Sequence, residues 1–179
     1  MVKTLLLFFI ILLYQNSVYA DESTIPEDAK VVNIEAIYDQ APIIVQNDLG
    51  EDTIAVATIR GRILTDGYLK SGTVDCRVVG YAAPGRIFSC GFAQVEYVDG
   101  YCIFKNTEDE GLVAKLSCST AANGIKGASC QGKLDFLSGS GTFAGISGTA
   151  KLNMAQIFSS DEKFLSFSGF WKLPALLLR

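Results

Sequence analysis

Residues 131–154 read QGKLDFLSGSGTFAGISGTAKLNM, and this stretch predicts the fold of the whole chain. Polar and apolar residues alternate on both sides of a glycine-rich centre, Ser138–Gly148, which also holds Phe143. Alternation with a period of two is typical of a strand that buries one face, and glycine permits a sharp change of direction. The stretch therefore predicts two strands joined by a glycine-kinked corner, as a hairpin of a strongly curved antiparallel sheet.

Similar runs of β-branched and aromatic residues recur from Glu51 onward. Several end at hairpin turn signals, such as Asp66-Gly67, Asp99-Gly100 and Asn123-Gly124. No window has a convincing helical period. The pattern predicts eight strands in up-and-down order, at residues 52–65, 68–81, 87–98, 101–106, 112–119, 125–137, 142–154 and 163–173.

A meander of eight strands leaves two unpaired edges unless the sheet closes on itself. Closure alone removes both edges, and glycines inside the predicted strands fit the corners of a barrel. We therefore expect an all-β fold, an eight-stranded antiparallel up-and-down β-barrel with a flexible N-terminal arm. An open two-sheet sandwich is the competing architecture.

The N-terminal segment has the features of a signal peptide. Lys3 precedes the apolar run Leu5–Tyr14, and Val18–Ala20 offers small residues for cleavage. An uncleaved anchor is the alternative interpretation. We expect a signal peptide at 1–20, an arm and edge segment at 21–50, a barrel domain at 51–174 and a tail at 175–179. This organisation predicts a secreted or periplasmic protein without a membrane span after cleavage.

Charge and composition exclude several classes of function. The chain has a formal net charge of −4 and contains no histidine. An acidic chain without a basic patch is a poor ligand for nucleic acid. The absence of histidine excludes Ser-His-Asp and Cys-His catalysis and the common zinc sites, so we expect no metal and no cofactor.

The five cysteines all follow the predicted signal peptide, where an oxidising compartment would favour disulfides. Alternation places all five on the apolar face of their strands. Folding the predicted hairpins brings Cys76 near Cys90 and Cys102 near Cys118. We therefore predict these two disulfides and a free Cys130. Five reduced, buried cysteines are the alternative.

Four motifs resemble secreted bacterial proteins of the allene oxide cyclase-like and dirigent-like β-barrel type. They are Gly100–Phe104 (GYCIF), Glu108–Gly111 (EDEG), Ser138–Gly148 (SGSGTFAGISG) and Phe167–Trp171 (FSGFW). The resemblance covers roughly Thr73–Leu173. It implies an eight-stranded barrel and a capacity to form homo-oligomers. It implies no particular activity, because the cyclase catalytic positions have no counterpart in this sequence.

Two polar residues are candidates for a site inside the barrel. If the face that holds Cys90 continues without a break, then Gln94 and Glu96 also point inward. A carboxylate in an apolar barrel has a raised pKa and can act as an acid, a base or an anchor for a ligand. A β-bulge at Gly91 would instead turn both residues to solvent, and this is the favoured alternative.

Three further groups have a structural interpretation that we favour. Trp171 is a candidate ligand-stacking wall, but its alternation with Phe167 is typical of a core residue. Arg60 and Arg62 share one face and could bind an anion, although an outer polar face explains them. The acidic run Glu108–Glu110 lacks the spacing of a known calcium loop and is typical of a solvated turn.

These observations leave three hypotheses for function. The first is a secreted barrel that binds a small apolar ligand or a protein partner without catalysis. The second is an isomerase or cyclase that holds a hydrophobic substrate in the barrel and uses Glu96. The third is a structural envelope or extracellular protein with a filled barrel. A filled interior would favour the third hypothesis, and an open pocket would favour the first two.

Overall fold

The computed structural model describes residues 26–40, 45–49, 52–82, 97–122, 127–157 and 162–174. Within these ranges the chain forms nine strands, and a short 3₁₀ turn, Gly141–Phe143, precedes the eighth. The strands are β1 (Lys30–Gln40), β2 (Val45–Leu49), β3 (Asp52–Ile63), β4 (Thr73–Ala82), β5 (Tyr97–Lys105), β6 (Gly111–Ala122), β7 (Gly127–Gly139), β8 (Ser147–Ile157) and β9 (Glu162–Lys172).

Eight of these strands close into an antiparallel barrel, which confirms the predicted fold class. From β3 to β9 each strand pairs with the next along the chain, and β1 pairs with both β9 and β3. The closing pair runs from Ala36 opposite Ile63 to Gln40 opposite Ile59. β2 continues along the same edge of β3 as β1 and pairs with the first half of β3. The closing pair rules out the open sandwich, because a sandwich would leave these strands unpaired.

The strand that closes the barrel lies in a segment that we predicted to be an arm and an edge. β1 contributes four buried side chains to the core, from Val32 to Tyr38 at alternate positions. Pro42, a residue typical of edge strands, follows β1 and lies outside the described residues. The barrel therefore begins at Lys30 rather than at residue 51. An ion pair of 2.7 Å between Asp28 and Lys172 ties the preceding turn to β9.

The strand boundaries predicted at two of the hairpin turn signals are wrong. Asp99-Gly100 lies inside β5 and not at a turn, because Gly100 faces the interior against Val78, where a Cβ would collide with β4. Asp66-Gly67 does lie in a turn, but the next strand begins only at Thr73, since the loop carries Leu69 into the core. Glycine signals a close approach of two backbones as readily as it signals a turn.

The predicted hairpin at residues 131–154 is present as β7 and β8. Its second strand begins at Ser147 rather than Thr142, because the 3₁₀ turn turns Phe143 into the end of the barrel. Phe143 and Ile146 are buried there, with relative exposures of 0% and 3%. The glycine-rich corner therefore places a side chain that plugs one end of the core.

The core has the composition that alternation predicts. Leu112, Ala114 and Leu116 of β6 face inward and are completely or almost completely buried. The inward side chains of β9 are buried as well. Together, inward residues from all eight barrel strands pack into one hydrophobic cluster. Burial of apolar surface on this scale is the main source of stability for a single domain.

The disulfide pairing that we predicted is wrong. The structure joins Cys76 to Cys102 and Cys118 to Cys130, so Cys130 is not free. Cys76 and Cys102 are directly opposite each other on β4 and β5, because β5 runs straight through Asp99-Gly100. Cys90 lies outside the described residues.

The second disulfide joins diagonal positions on β6 and β7. Cys118 is opposite Gly132, while Cys130 is opposite Thr120. A Cβ at Gly132 would collide with Cys118, so the glycine leaves the space in which the Cys118 side chain reaches Cys130.

In the described part of the chain, no helix is long and apolar enough to cross a membrane.

Candidate functional site

The outer face of β4 and β5 carries a dense group of exposed large hydrophobic side chains. Val79, Tyr97, Tyr101 and Ile103 are 45%, 46%, 55% and 46% exposed. Tyr81 completes the group beside Tyr97. We call these five residues the tyrosine face. Large exposed apolar patches mark interaction sites more often than scattered hydrophobic residues do.

The register of β4 and β5 brings the tyrosine face together. Tyr81 lies directly opposite Tyr97, and their rings stack with centroids 5.3 Å apart and an angle of 22° between the planes. On the same outer face, Val79 is opposite Asp99, and Tyr101 follows Asp99 along β5. The result is a mixed surface along two neighbouring strands, because charged residues are opposite Val79, Tyr101 and Ile103 in the register.

Charged side chains border this surface on both sides. Tyr101 lies between Arg77 of β4 and Lys115 of β6 in the strand register. Asp75 forms ion pairs with Arg77 and with Arg60, the latter at 3.4 Å. Apolar and charged side chains thus share this face, and the interfaces of non-obligate protein complexes are mixed in the same way.

The local sequence shows that β5 carries large apolar residues on its outer face as well as on its inner face. Its residues read YVDGYCIFK, and the inward positions hold Val98, Gly100, Cys102 and Phe104. The outward positions hold Tyr97, Asp99, Tyr101, Ile103 and Lys105. A strand with one solvated face usually carries polar residues there. The doubled apolar pattern was a detectable signal for the tyrosine face, and the predicted turn at Asp99-Gly100 concealed it.

Trp171 is a core residue in the structure. It is 3% exposed, and its ring makes edge contacts with Phe136, Phe143 and Tyr68 at centroid distances of 5.7, 5.8 and 6.2 Å. Edge-to-face packing of this kind stabilises aromatic clusters. The described side chains around Trp171 fill the space that a stacked ligand would need.

The other predicted ligand-binding residues, Gln94 and Glu96, lie outside the described residues. Their role in binding or catalysis stays a prediction. Arg60 and Arg62, the candidate anion site, are both exposed on the outer face of β3. Because Arg60 is paired with Asp75, a role in organising surface charge accounts for its position.

The acidic turn and the glycine-rich corner meet at one end of the barrel. The Glu110 carboxylate accepts hydrogen bonds from the Thr142 hydroxyl at 2.5 Å and from the Thr142 amide at 3.2 Å. Ser140 donates its amide hydrogen to the Gly111 carbonyl at 2.7 Å. We call these contacts the Glu110–Thr142 latch. The latch joins two of the motifs on which the family resemblance rests, Glu108–Gly111 and Ser138–Gly148.

The latch also determines the electrostatics of the turn. Hydrogen bonds from Thr142, and a weaker one from Asn106, lower the pKa of Glu110 below its ordinary value. Gly141 adopts φ +55°, where a Cβ would collide with the Glu110 carboxylate. Among the described residues, no group of three or more acidic or sulfur-bearing side chains could hold a metal ion. Glu110 is thus engaged in a structural contact.

No protein-family model matches this sequence, and a search of curated proteins found no significant relative.

Proposed function

We propose that this protein is a secreted, non-catalytic binding protein that recognises a protein partner with its tyrosine face. The observation that carries the proposal is the exposure of Val79, Tyr97, Tyr101 and Ile103 on one pair of strands. Tyrosine offers a large rigid contact surface and a hydroxyl for hydrogen bonding, so it is enriched where proteins bind one another.

The packing of the interior supports a site on the outside. Phe104, Phe136, Phe143, Phe167 and Trp171 meet near one end of the barrel in a chain of edge-to-face contacts. An eight-stranded barrel either fills with side chains or holds one small ligand. The described side chains favour the first alternative, and an external surface then becomes the natural place for recognition.

Export from the cell is the second part of the proposal. Two disulfides inside the barrel are consistent with an oxidising compartment. In our interpretation, residues 1–20 are the signal peptide that directs the chain to export. We also propose membership in the allene oxide cyclase-like barrel type; the closed barrel and the glycine-rich corner support it.

Photo-cross-linking in the native host tests the proposal. A benzoylphenylalanine placed at position 101 is expected to give one discrete protein adduct on irradiation. The same probe at Glu108, an exposed position on the acidic turn, is the matched control and is expected to give none. Tyr97→Ala in the position-101 probe protein should reduce the adduct strongly, because it removes half of the stacked pair.

Mass spectrometry of the adduct identifies the partner. Peptides from a different protein identify a heterologous partner, and peptides from this chain alone identify self-association through the tyrosine face. Equal adducts from both probe positions, or no adduct from position 101, would contradict the proposal.

A structural role outside the cell is the second candidate function, and the filled interior favours it. A structural protein would need only its stability and its exposed surface. The same experiment distinguishes the two candidates. In a purely structural protein, the yield of the cross-linked adduct should not depend on Tyr97.

A further inference from the structure

A trough runs along the outside of β9 on a different side of the barrel from the tyrosine face. The outward side chains of β9 are Phe164, Ser166, Ser168 and Phe170, in that order. In register with the two serines, β1 supplies Glu35 and Asn33, and β8 supplies Asn153 and Lys151. Short serines between longer neighbours form a floor between two walls. We call this set of residues the serine trough.

Two cavities follow one another along β1 and β9. The first has a volume of about 500 Å³ and is lined by the two serines and by the wall residues of β1 and β8. The second, about 600 Å³, lies beyond Phe164 and is lined in part by the charged residues Asp39, Arg62 and Lys163. The first cavity, over the serine floor, is the central part of the trough.

Aromatic rings stand at both ends of the serine floor. Phe164 and Phe170 are half-buried and face outward, and their positions are six residues apart along β9. At a rise of about 3.3 Å per residue, this separation is roughly 20 Å. Ile37 and Val31, 44% and 63% exposed, lie opposite them on β1. The trough thus offers apolar platforms at its ends and hydrogen-bonding groups between them.

The hydrogen-bonding groups that line the first cavity are mostly uncharged. Asn33, Asn153, Ser166 and Ser168 offer amide and hydroxyl groups that both donate and accept. Glu35 and Lys151 contribute one charge of each sign on opposite walls, and they offset each other. A polyanion would gain no net attraction from such a site. A neutral polymer with many hydroxyl groups matches this set of donors and acceptors.

An extended peptide fits the trough less well. β9 is paired on both sides, with β1 and β8, so its backbone has no free edge to which a peptide strand could add. The middle of the floor consists of serines and offers no apolar pocket for peptide side chains. Sugar rings, by contrast, present apolar C–H faces to aromatic side chains and hydroxyl groups to amides.

We propose that the serine trough binds a linear, neutral oligosaccharide. Its terminal rings stack on Phe164 and Phe170, and its central hydroxyl groups bond to the serines and asparagines. The extended path along β9 selects straight chains of β-1,4-linked hexoses over helical α-linked chains. This site is separate from the tyrosine face, and neither proposal depends on the other.

Titration of the intact mature protein with defined sugars tests the inference. Cellohexaose and chitohexaose are the straight probes, and maltohexaose is the curved control. At least one straight probe is expected to bind and to shift the backbone amide resonances of β9 and its neighbours. Failure of both straight probes to bind would overturn the proposal, as would equal binding of maltohexaose.

Substitutions locate the site. Ser168→Leu raises the floor and is expected to weaken binding by about tenfold or more, a loss of about 1.4 kcal/mol per factor of ten. Ser138→Leu is the matched control, since Ser138 is an exposed serine near the end of β7 and lines neither cavity. Its affinity should equal that of the wild type. Equal losses in the two variants would overturn the assignment.

A second variant guards against a failure of Ser168→Leu to fold. Asn33→Ala combined with Asn153→Ala trims two exposed wall residues and leaves the core untouched. The double variant is expected to fold, as its circular dichroism will show, and to bind the straight probe at least several-fold more weakly. Wild-type affinity in this variant would overturn the role of the walls.

Discussion

The tyrosine face and the serine trough lie on the outside of one barrel, over one shared interior, yet their chemistry is opposite. The outward positions of β4 and β5 hold Tyr81, Tyr97 and Tyr101, whereas the centre of β9 holds Ser166 and Ser168. The inward positions of all these strands are similarly apolar, because barrel closure buries them. Closure constrains only the inward side chains. The outward side chains can therefore differ from strand to strand, and each group of them can suit a different kind of partner.

The shared interior should be far more sensitive to substitution than either outer face. Trp171→Ala removes a buried ring that packs against Phe136 and Phe143, and we expect it to lower the free energy of unfolding by about 3–5 kcal/mol. Urea unfolding followed by circular dichroism measures the loss. Ser168→Leu, on the outside of the same strand, serves as the comparison. A loss of less than 1 kcal/mol for Trp171→Ala, on the order of a surface change, would contradict the packed core.

The two disulfides should differ in their contribution to stability. Cys76–Cys102, under the tyrosine face, spans 26 residues, and Cys118–Cys130 spans 12. Loop-closure entropy predicts about 3.5 kcal/mol for the first and about 3 kcal/mol for the second. Unfolding of the two paired Cys→Ala variants under non-reducing conditions measures both values. The pairing itself is checked by peptide mapping of the unreduced protein, and a Cys76–Cys90 peptide would contradict it.

The latch at the end of the barrel should make stability depend on acid. Because the folded pKa of Glu110 lies below its ordinary value of 4.5, the ionised carboxylate stabilises the fold above that pH. This contribution is lost as the pH falls through the folded pKa. Glu110→Gln should therefore show a smaller loss of stability between about pH 6 and about pH 3 than the wild type does.

Urea unfolding at a series of pH values measures the latch effect. Thr142→Val removes the hydroxyl donor and should flatten the pH dependence in the same direction as Glu110→Gln. Glu108→Gln is the control that removes one carboxylate from the same turn without touching the latch. A pH dependence that is identical in the wild type and in Glu110→Gln would show that the latch does not contribute.

The smallest effect on folding is expected at the tyrosine face itself. Tyr101→Ser removes an exposed side chain, so it should change the free energy of unfolding by no more than about 0.5 kcal/mol. If the tyrosine face is a binding site, Tyr101→Ser should reduce the free energy of binding to the identified partner by at least about 1 kcal/mol, as substitutions of hot-spot tyrosines do. Thermal unfolding and a binding titration separate the two quantities. A stability loss with unchanged binding would assign the tyrosines to folding alone.

Much of the barrel could be predicted because alternation follows directly from strand geometry. The inward positions of Leu112, Leu116 and Trp171 were expected from the period of two, and the structure confirms them. Strand boundaries were less predictable. Asp99-Gly100 has the composition of a turn, but Gly100 serves the close approach of β5 to β4. The same misplaced turn led to the wrong disulfide partners.

The candidate sites were less predictable than the core. The exposed tyrosines were visible as a strand with large apolar residues on both faces, although only the register shows that Tyr81 stacks on Tyr97. The serine trough needs three strands, β1, β8 and β9, that are far apart in the chain. Long-range register is decided when strands pair, and local sequence carries little information about it.

The sequence by itself determined that the chain alternates, turns back repeatedly and buries one face of each strand, because the two-residue period is a local property. Tertiary structure alone decided which segment closes the ring, which cysteines meet and which outer side chains become neighbours. These outcomes depend on strand order and register across the whole barrel. The closing strand Lys30–Gln40 pairs with both β9 and β3, so closure of the ring requires both strands in the correct register.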